Sequence, residues 1–159
     1  MEPRIEIFTE TPVVGKKLEM SFMQNKTAEL WGSFMPMRKD ILNTIGTELY
    51  SVEVYPEGFF EHFDRAVPFE KWAAAAVRNL EDVPEGMDAM TIDTGAYAVF
   101  HYKGRASEGA SMYQYIFTRW LPESEYSLDN RPHFALMGEK YKNDDPESEE
   151  ELWIPIKRK

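Results

Sequence analysis

The sequence predicts an α+β domain in which two main helices cover one face of an antiparallel sheet. The first observation is the order of segments, which runs strand, helix, strand, strand in each half and predicts a tandem β-α-β-β repeat. The second is the length, because 159 residues suit one domain with one core. We therefore treat residues 1–159 as a single domain with pseudo-repeats over roughly 4–80 and 90–157. A groove is expected on the face without helices.

The first half begins with an extended segment at Arg4 to Thr9 and a strand predicted over Val13 to Phe22. A helix should follow a cap at Asn25 or Thr27, because these side chains accept hydrogen bonds from the first helical N–H groups. Pro36 should kink or end that helix, since proline lacks the N–H group that the helix requires. The apolar face of this helix consists of Leu30, Phe34, Met37 and Ile41.

Two further segments complete the first half. Leu49 to Tyr55 is predicted to be a strand, because apolar and polar residues alternate along it. Phe69 to Val77 is ambiguous, because its four alanines favour a helix whereas its position in the repeat favours a strand. The residues between them, 56–68, are bounded by prolines and are typical of a connecting loop.

The second half repeats this order. Gly95 to Tyr102 is predicted to be a strand, and a helix should run from Ser107 or Ser111 to about Leu121. The sheet-facing residues of that helix are Met112 or Tyr113, Ile116, Phe117 and Trp120, and Trp120 is expected in the core. Two last strands are predicted over His133 to Tyr141 and Glu151 to Ile156.

Composition and charge exclude several functional classes. A net charge of −10 repels phosphate backbones, so no direct nucleic-acid binding is expected. No apolar run reaches the ~18 residues of a membrane span and the N-terminus lacks a signal-peptide pattern, so a cytoplasmic protein without membrane contact is expected. Histidine spacing and the absence of a phosphate-binding glycine loop predict no metal and no cofactor. The ten Phe, eight Tyr and four Trp residues indicate either an unusually aromatic core or a ring-lined cavity.

Several motifs follow one another in a distinctive order along the chain. They are Val13-Val14-Gly15, Leu30-Trp31, Tyr97-Ala98-Val99-Phe100, Gly104, Tyr113-Gln114-Tyr115-Ile116, Trp120-Leu121-Pro122 and Leu152-Trp153-Ile154-Pro155-Ile156-Lys157. Together they resemble the GyrI-like family, which includes the effector-binding domains of AraC-type and MerR-type multidrug regulators. The resemblance spans almost the whole chain and implies an SHS2-like fold with a groove between the halves.

The resemblance also implies a function. Family members look like binders of lipophilic, often cationic, small molecules, so we expect a drug sink or an effector sensor. No helix-turn-helix fits in residues already used by the fold, so a stand-alone form is expected. Some members resemble hydrolases of cyclopropane-bearing genotoxins, and one inhibits DNA gyrase. Hydrolysis, or contact between the acidic surface and gyrase, are therefore the alternatives.

The last strand supplies the strongest site candidates. Side chains alternate between faces along a strand, so Leu152, Ile154 and Ile156 should pack under the helices. Glu151 and Trp153 then share the other face, where the ring offers a cation–π contact and the carboxylate compensates charge. The resemblance implies the same pair, because cation-binding members carry a Glu-x-aromatic pair at this place. The alternative is that Glu151 extends the acidic loop and Trp153 covers the sheet edge.

The neighbouring strand departs from the family. Phe134 and Leu136 are expected in the core, and Ala135, Met137 and Glu139 are expected on the groove face. The family pattern is Phe-Glu-x-Tyr, so the resemblance implies that Ala135 replaces the usual groove glutamate and Met137 the usual tyrosine. Met137 makes the wall more apolar. Glu139 is a candidate for restoring the charge, unless it is only an exposed glutamate at the strand end.

Further aromatic residues are candidates for the groove walls, and they are Tyr113, Trp31, Trp72 and Tyr55. The first three are equally compatible with a place in the core. The alanine run 73–76 either widens the space above the sheet or allows a helix to approach it closely. If the chain is an enzyme, Glu151 would activate water and Tyr113 would position the electrophile.

Overall fold

The computed structural model describes residues 2–142 and 144–159, and these residues form nine strands. The strands are β1 (Arg4–Phe8), β2 (Thr11–Met20), β3 (Leu49–Val54), β4 (Phe69–Ala76), β5 (Asp88–Ile92), β6 (Gly95–Lys103), β7 (Tyr126–Leu128), β8 (His133–Met137) and β9 (Glu149–Arg158). Two of them, β5 and β7, were not predicted from the sequence. The strand predicted to reach Tyr141 ends at Met137, because residues 138–140 leave the sheet in an exposed turn.

The helices lie in the predicted places. α1 (Thr27–Phe34) ends early and is followed by a 3₁₀ helix (Met35–Asp40) that carries Pro36 in its first turn, which confirms the interruption predicted from that proline. A 3₁₀ turn (Ala106–Glu108) precedes α2 (Ala110–Tyr115). A π-helical segment (Ile116–Trp120) and α3 (Leu121–Glu123) then continue the second helix.

The strand order is β1-β6-β9-β8-β3-β4-β2-β5, and the pairings are antiparallel. If each strand of one half is exchanged for its counterpart in the other half, the same order is obtained, read from the opposite edge of the sheet. β3 and β8 form the central pair, which joins the two halves. The first strand of each half pairs with a strand of the other half: β1 pairs with β6, and β5 pairs with β2.

The alanine-rich segment is a strand, so its position decided its structure rather than its helix propensity. Ala73, Ala74, Ala75 and Ala76 are all buried between β2 and β3. The approach of β2 is close, because a Cβ added to Gly15 would overlap the carbonyl oxygen of Ala73. Small residues on both strands therefore allow close packing here.

The sheet is curled into a half-barrel with the helices on one face, which we call the helix face. α1 packs there against β2 and β4, with Leu30 and Phe34 buried. α2 and the π segment pack against β6 and β9 through Met112 and Ile116. The predicted placement of Leu152, Ile154 and Ile156 under this second helix is confirmed.

The face without helices holds a second core. Trp72, Tyr97, Phe134 and Trp153 lie together there, and Phe8 packs edge-on against three of these rings. Only 3% of Trp72 and 8% of Trp153 is exposed. Protein side chains therefore occupy the space where the sequence predicted a ligand groove.

Candidate functional site

The two helices leave a strip of the helix face between them, over the central pair β3 and β8. The register places Ser51 opposite Ala135, Glu53 opposite His133 and Leu49 opposite Met137. Directly opposite residues share a face, and Leu49 and Met137 pack with α1 whereas Ala135 packs with the second helix. We call this surface the central strip; it consists of Leu49, Ser51, Glu53, Tyr55, His133, Ala135 and Met137.

Charged groups lie on and beside the central strip, although it is mostly covered. Lys71 on β4 is the cross-strand neighbour of Glu53, and its Nζ lies 3.8 Å from Glu53 Oε1. Only 13% of the Glu53 side chain and 16% of the Lys71 side chain is exposed. Burial raises the pKa of Glu53, and the ammonium of Lys71 partly opposes that rise.

Glu150 is the second carboxylate of this cluster. It lies two residues before Leu152 on β9 and therefore shares the helix face with it. Burial and then the charge of Glu53 raise the pKa of Glu150 to about 7, against the opposing effect of Lys71. Two carboxyl groups and one ammonium group are thus close enough to influence one another.

Two phenols complete the polar part of the site. Burial, followed by the charge of Glu53, raises the pKa of Tyr55 well above its usual value. The same two causes raise the pKa of Tyr113 on α2, and Glu150 adds to them. Both hydroxyl groups therefore stay protonated at neutral pH and remain hydrogen-bond donors.

An aromatic loop closes one end of the strip. Residues 56–68, which connect β3 and β4, carry Phe59, Phe60 and Phe63, and we call this segment the phenylalanine loop. The ring of Phe60 stacks on Phe117 of the second helix, with centroids 4.7 Å apart and planes 18° apart. It also lies 5.7 Å from the ring of His133. A loop of the first half thus contacts the helix of the second half across the strip.

His133 is neutral in this setting. Its ring packs edge-on against Tyr55 at 4.9 Å and is buried. Burial, with a smaller contribution from Arg131, lowers the pKa of His133 to about 3. The imidazole is therefore a part of the aromatic wall and carries no charge at neutral pH.

The structure brings some of the predicted site residues together. Tyr55 and Met137 belong to the central strip, and Tyr113 flanks it. Trp31 lies on α1, half-buried, and packs edge-on against Phe34 at 5.7 Å. Trp120 packs edge-on against Phe100 at 5.2 Å and is half-buried against the core, whereas the sequence predicted it within the core.

Other predicted site residues lie elsewhere. Glu151 and Trp153 share a face as predicted, and the indole Nε1 donates a hydrogen bond to Glu151 Oε1 at 3.1 Å. That face is the one without helices, where Arg4 also binds Glu151 at 2.8 Å. Trp72 is buried on the same face, and its indole donates to Glu70 at 2.6 Å. The ligand-binding role of these residues stays a prediction.

The face assignment on β8 was wrong. Phe134 lies opposite Trp153 and stacks on it at 5.2 Å, so Phe134 and Leu136 belong to the face without helices. Ala135 and Met137 lie on the helix face and cannot line one wall with Trp153. Glu139 lies in the exposed turn after β8 instead of on a strand.

The suggested catalytic pair is divided by the sheet. Glu151 faces away from the helices, whereas Tyr113 belongs to a helix on the opposite face. The two side chains therefore cannot act on one substrate in this arrangement.

Sequence reasoning missed Glu53, Lys71, Glu150 and Phe60. A signal for Lys71 was present, since it alternates with Phe69 and Ala73 and so shares their buried face. A charged residue on the apolar side of a strand indicates a partner or a function. Three consecutive acids at 149–151 gave no alternation from which to recognise Glu150.

A concave region lies apart from these residues. A cavity of about 510 Å³ is lined by the 3₁₀ helix after α1 and by the loop before β3, including Arg38, Ile41 and Glu48. None of the predicted site residues lines it.

The chain has the architecture of a small-molecule-binding domain: a curled sheet, two helices on one face, and largely covered acids and rings between them. It belongs to the GyrI-like family, because the family model described as a GyrI-like small molecule binding domain matches residues 1–157.

One curated relative is the transcriptional regulator BrlR of Pseudomonas aeruginosa PAO1, with 28% identity over 147 residues. The match covers 91% of this chain and 51% of BrlR, so the chain spans about half the length of this relative. Solved structures share the fold. SAV2435 bound to tetraphenylphosphonium has a TM-score of 0.73 at 16% identity, with 99% of this chain and 94% of that chain covered. EcmrR, in a complex with DNA, has a TM-score of 0.73 at 14% identity, with 99% and 58% covered.

The described residues include neither a membrane-spanning helix nor a metal-binding cluster. None of the helices within residues 2–142 and 144–159 is long and apolar enough to cross a membrane. Over the same part of the chain, no group of three or more His, Asp or Glu residues is arranged to hold a metal ion.

Proposed function

We propose that this chain binds lipophilic cations at the central strip and serves as a drug sink or an effector sensor. The observation that carries the proposal is the pair of partly buried carboxylates, Glu53 and Glu150, beside the rings of Tyr55, Tyr113 and Phe60. Carboxylates attract a cation, and aromatic faces hold it by cation–π contacts worth about 0.5–2 kcal/mol each.

The departure of β8 from the family pattern fits this proposal. Ala135 stands where the resemblance implies the usual groove glutamate, and it lies on the helix face beside Ser51. Glu53 lies two residues after Ser51 on β3. Glu53 and Glu150 of β9 both face the same strip. We therefore propose that an acid from another strand of this strip supplies the charge that Ala135 does not.

The relatives support the class of ligand and the role. SAV2435 binds tetraphenylphosphonium, which is a lipophilic cation. BrlR is a transcriptional regulator, as expected of a protein that senses an effector.

The proposal is tested by titration with two ions of the same shape and opposite charge, tetraphenylphosphonium and tetraphenylborate, followed by calorimetry. We expect the cation to bind at least about tenfold more tightly, because the site carries carboxylates. Equal affinities, or no binding of the cation, would reject the proposal.

The position of the site is tested by two neighbouring glutamates on opposite faces. Glu150→Gln should weaken binding of tetraphenylphosphonium, whereas Glu151→Gln should leave it unchanged because Glu151 pairs with Arg4 on the other face. If instead Glu151→Gln weakens binding and Glu150→Gln does not, the site lies on the face without helices, as the sequence predicted.

A further inference from the structure

We propose, on the basis of the proposed function, that Lys71 sets the charge of the ligand. Its ammonium group neutralises Glu53 within the protein, so Glu150 alone remains to compensate the ligand. The site then selects lipophilic cations that carry a single positive charge.

The Glu53–Lys71 pair has the features of an internal ion pair. The two residues lie directly opposite each other on β3 and β4, and both side chains are largely covered. The neighbouring pair Lys17–Glu70 is more exposed and belongs to the other side of β4, where Glu70 also accepts from Trp72. Lys71 is therefore matched to Glu53, and a buried charge without such a partner would be costly.

Glu150 differs from the acids on either side of it. Glu149 Oε1 is hydrogen-bonded to His101 Nε2 at 2.7 Å, and Glu151 forms an ion pair with Arg4 at 2.8 Å. Among the residues that the structure describes, Glu150 forms no ion pair, although it is partly buried. It is thus a carboxylate in a covered site whose charge is left for another molecule to compensate.

Titratable groups from several elements face Glu150. Glu53 and Lys71 act on it from β3 and β4. The phenols of Tyr113 on α2, Tyr102 on β6 and Tyr141 after β8 also lie within its electrostatic reach, and they are neutral at neutral pH. With both carboxylates ionised, one unit of negative charge remains, which matches a monocation.

A double-mutant cycle tests this division of roles. Tetraphenylphosphonium binding is measured at pH 8.5, above the pKa of Glu150, for the wild type, Glu53→Gln, Lys71→Met and the double variant. Glu53→Gln should weaken binding about tenfold or more, because Lys71 is left uncompensated beside the cation. Lys71→Met should strengthen it by a similar factor at this pH, since Glu53 is freed.

The double variant is decisive. It removes both members of the pair and keeps their approximate shapes, so its affinity should lie within about threefold of the wild type. A double variant as weak as Glu53→Gln would show that Glu53 contacts the ligand, and weaker binding by Lys71→Met would show that Lys71 does; either result overturns the proposal. If Lys71→Met alone does not fold, Glu53→Gln and the double variant still decide.

Failure of this inference is distinct from failure of the proposed function. A wild type that binds tetraphenylphosphonium with the wrong pattern in the cycle rejects only the role of Lys71. A wild type that does not bind the cation rejects both.

Discussion

The carboxyl group of Glu150 gives the protein a pH-dependent stability with a defined sign. Its pKa is about 7 in the folded state, against an ordinary value of 4.5, because burial and Glu53 disfavour the charge. The folded state therefore holds this proton more strongly than the unfolded state between about pH 4.5 and 7. The contribution of Glu150 to the free energy of unfolding falls as the pH rises through that window.

Glu150→Gln should remove this dependence. At pH 8 the variant should have a free energy of unfolding higher than that of the wild type by on the order of 2 kcal/mol, and at pH 4 the two should be equal. Urea unfolding at both values checks this. Glu147→Gln is the control: this acid of the same segment forms an exposed pair with Lys103, so its loss should change the free energy of unfolding by less than about 1 kcal/mol at either pH.

At the residue scale, the sequence predicted some residues of the candidate site, and the ligand-binding role of the other predicted residues stays a prediction. Tyr55, Tyr113 and Met137 were predicted and lie at the central strip. Period-two alternation showed that Glu151 and Trp153 share a face. Alternation alone does not say which face of a curled sheet is filled by protein side chains. Both faces of β9 carry large apolar residues, so the choice depended on the packing of Phe8 and Phe134.

At the element scale, the phenylalanine loop both connects β3 to β4 and forms a wall of the candidate site. Residues 56–68 were predicted as a loop because of their prolines, and they are one. Their aromatic side chains bridge the two halves through Phe60, Phe117 and His133. That contact joins residues far apart in sequence, so local patterns did not indicate it.

Phe60→Ala should weaken tetraphenylphosphonium binding roughly tenfold, because it removes a ring beside the carboxylates. The rate constants of association and dissociation should both rise, because the strip is then less covered. Phe63→Ala is the matched control, because Phe63 belongs to the same loop but its ring is half-exposed and packs against Phe22, Phe59 and Phe60. Stopped-flow fluorescence measures both variants, and equal effects would contradict a specific role for Phe60.

At the scale of the whole molecule, the order of segments was enough to predict the fold class but not the exchange of leading strands. The sequence shows two similar halves, and the simplest arrangement would keep each half to itself. Instead β1 pairs with β6, β5 pairs with β2, and β3 pairs with β8. Neither β5 nor its pairing was recognised, because Asp88–Ile92 is short and mostly exposed or half-buried.

This exchange predicts that neither half folds alone. A cut between Asp82 and Val83, in an exposed connection, leaves three ladders spanning the two fragments: β1·β6, β2·β5 and β3·β8. Each fragment alone would expose unpaired strand edges and half of the central strip. We expect fragments 1–82 and 83–159 to show no cooperative unfolding separately, and to form a 1:1 complex when refolded together.

The proposed binding site makes this assembly measurable, because Glu53 and Lys71 belong to one fragment whereas Glu150 and Tyr113 belong to the other. Tetraphenylphosphonium should therefore bind the complex and neither fragment. The control is the intact chain with a protease site inserted between Asp82 and Val83, which should stay assembled and keep its affinity after cleavage. A cooperative transition or cation binding in a single fragment would show that the crossing strands are dispensable, and that a half of the sheet suffices for the fold.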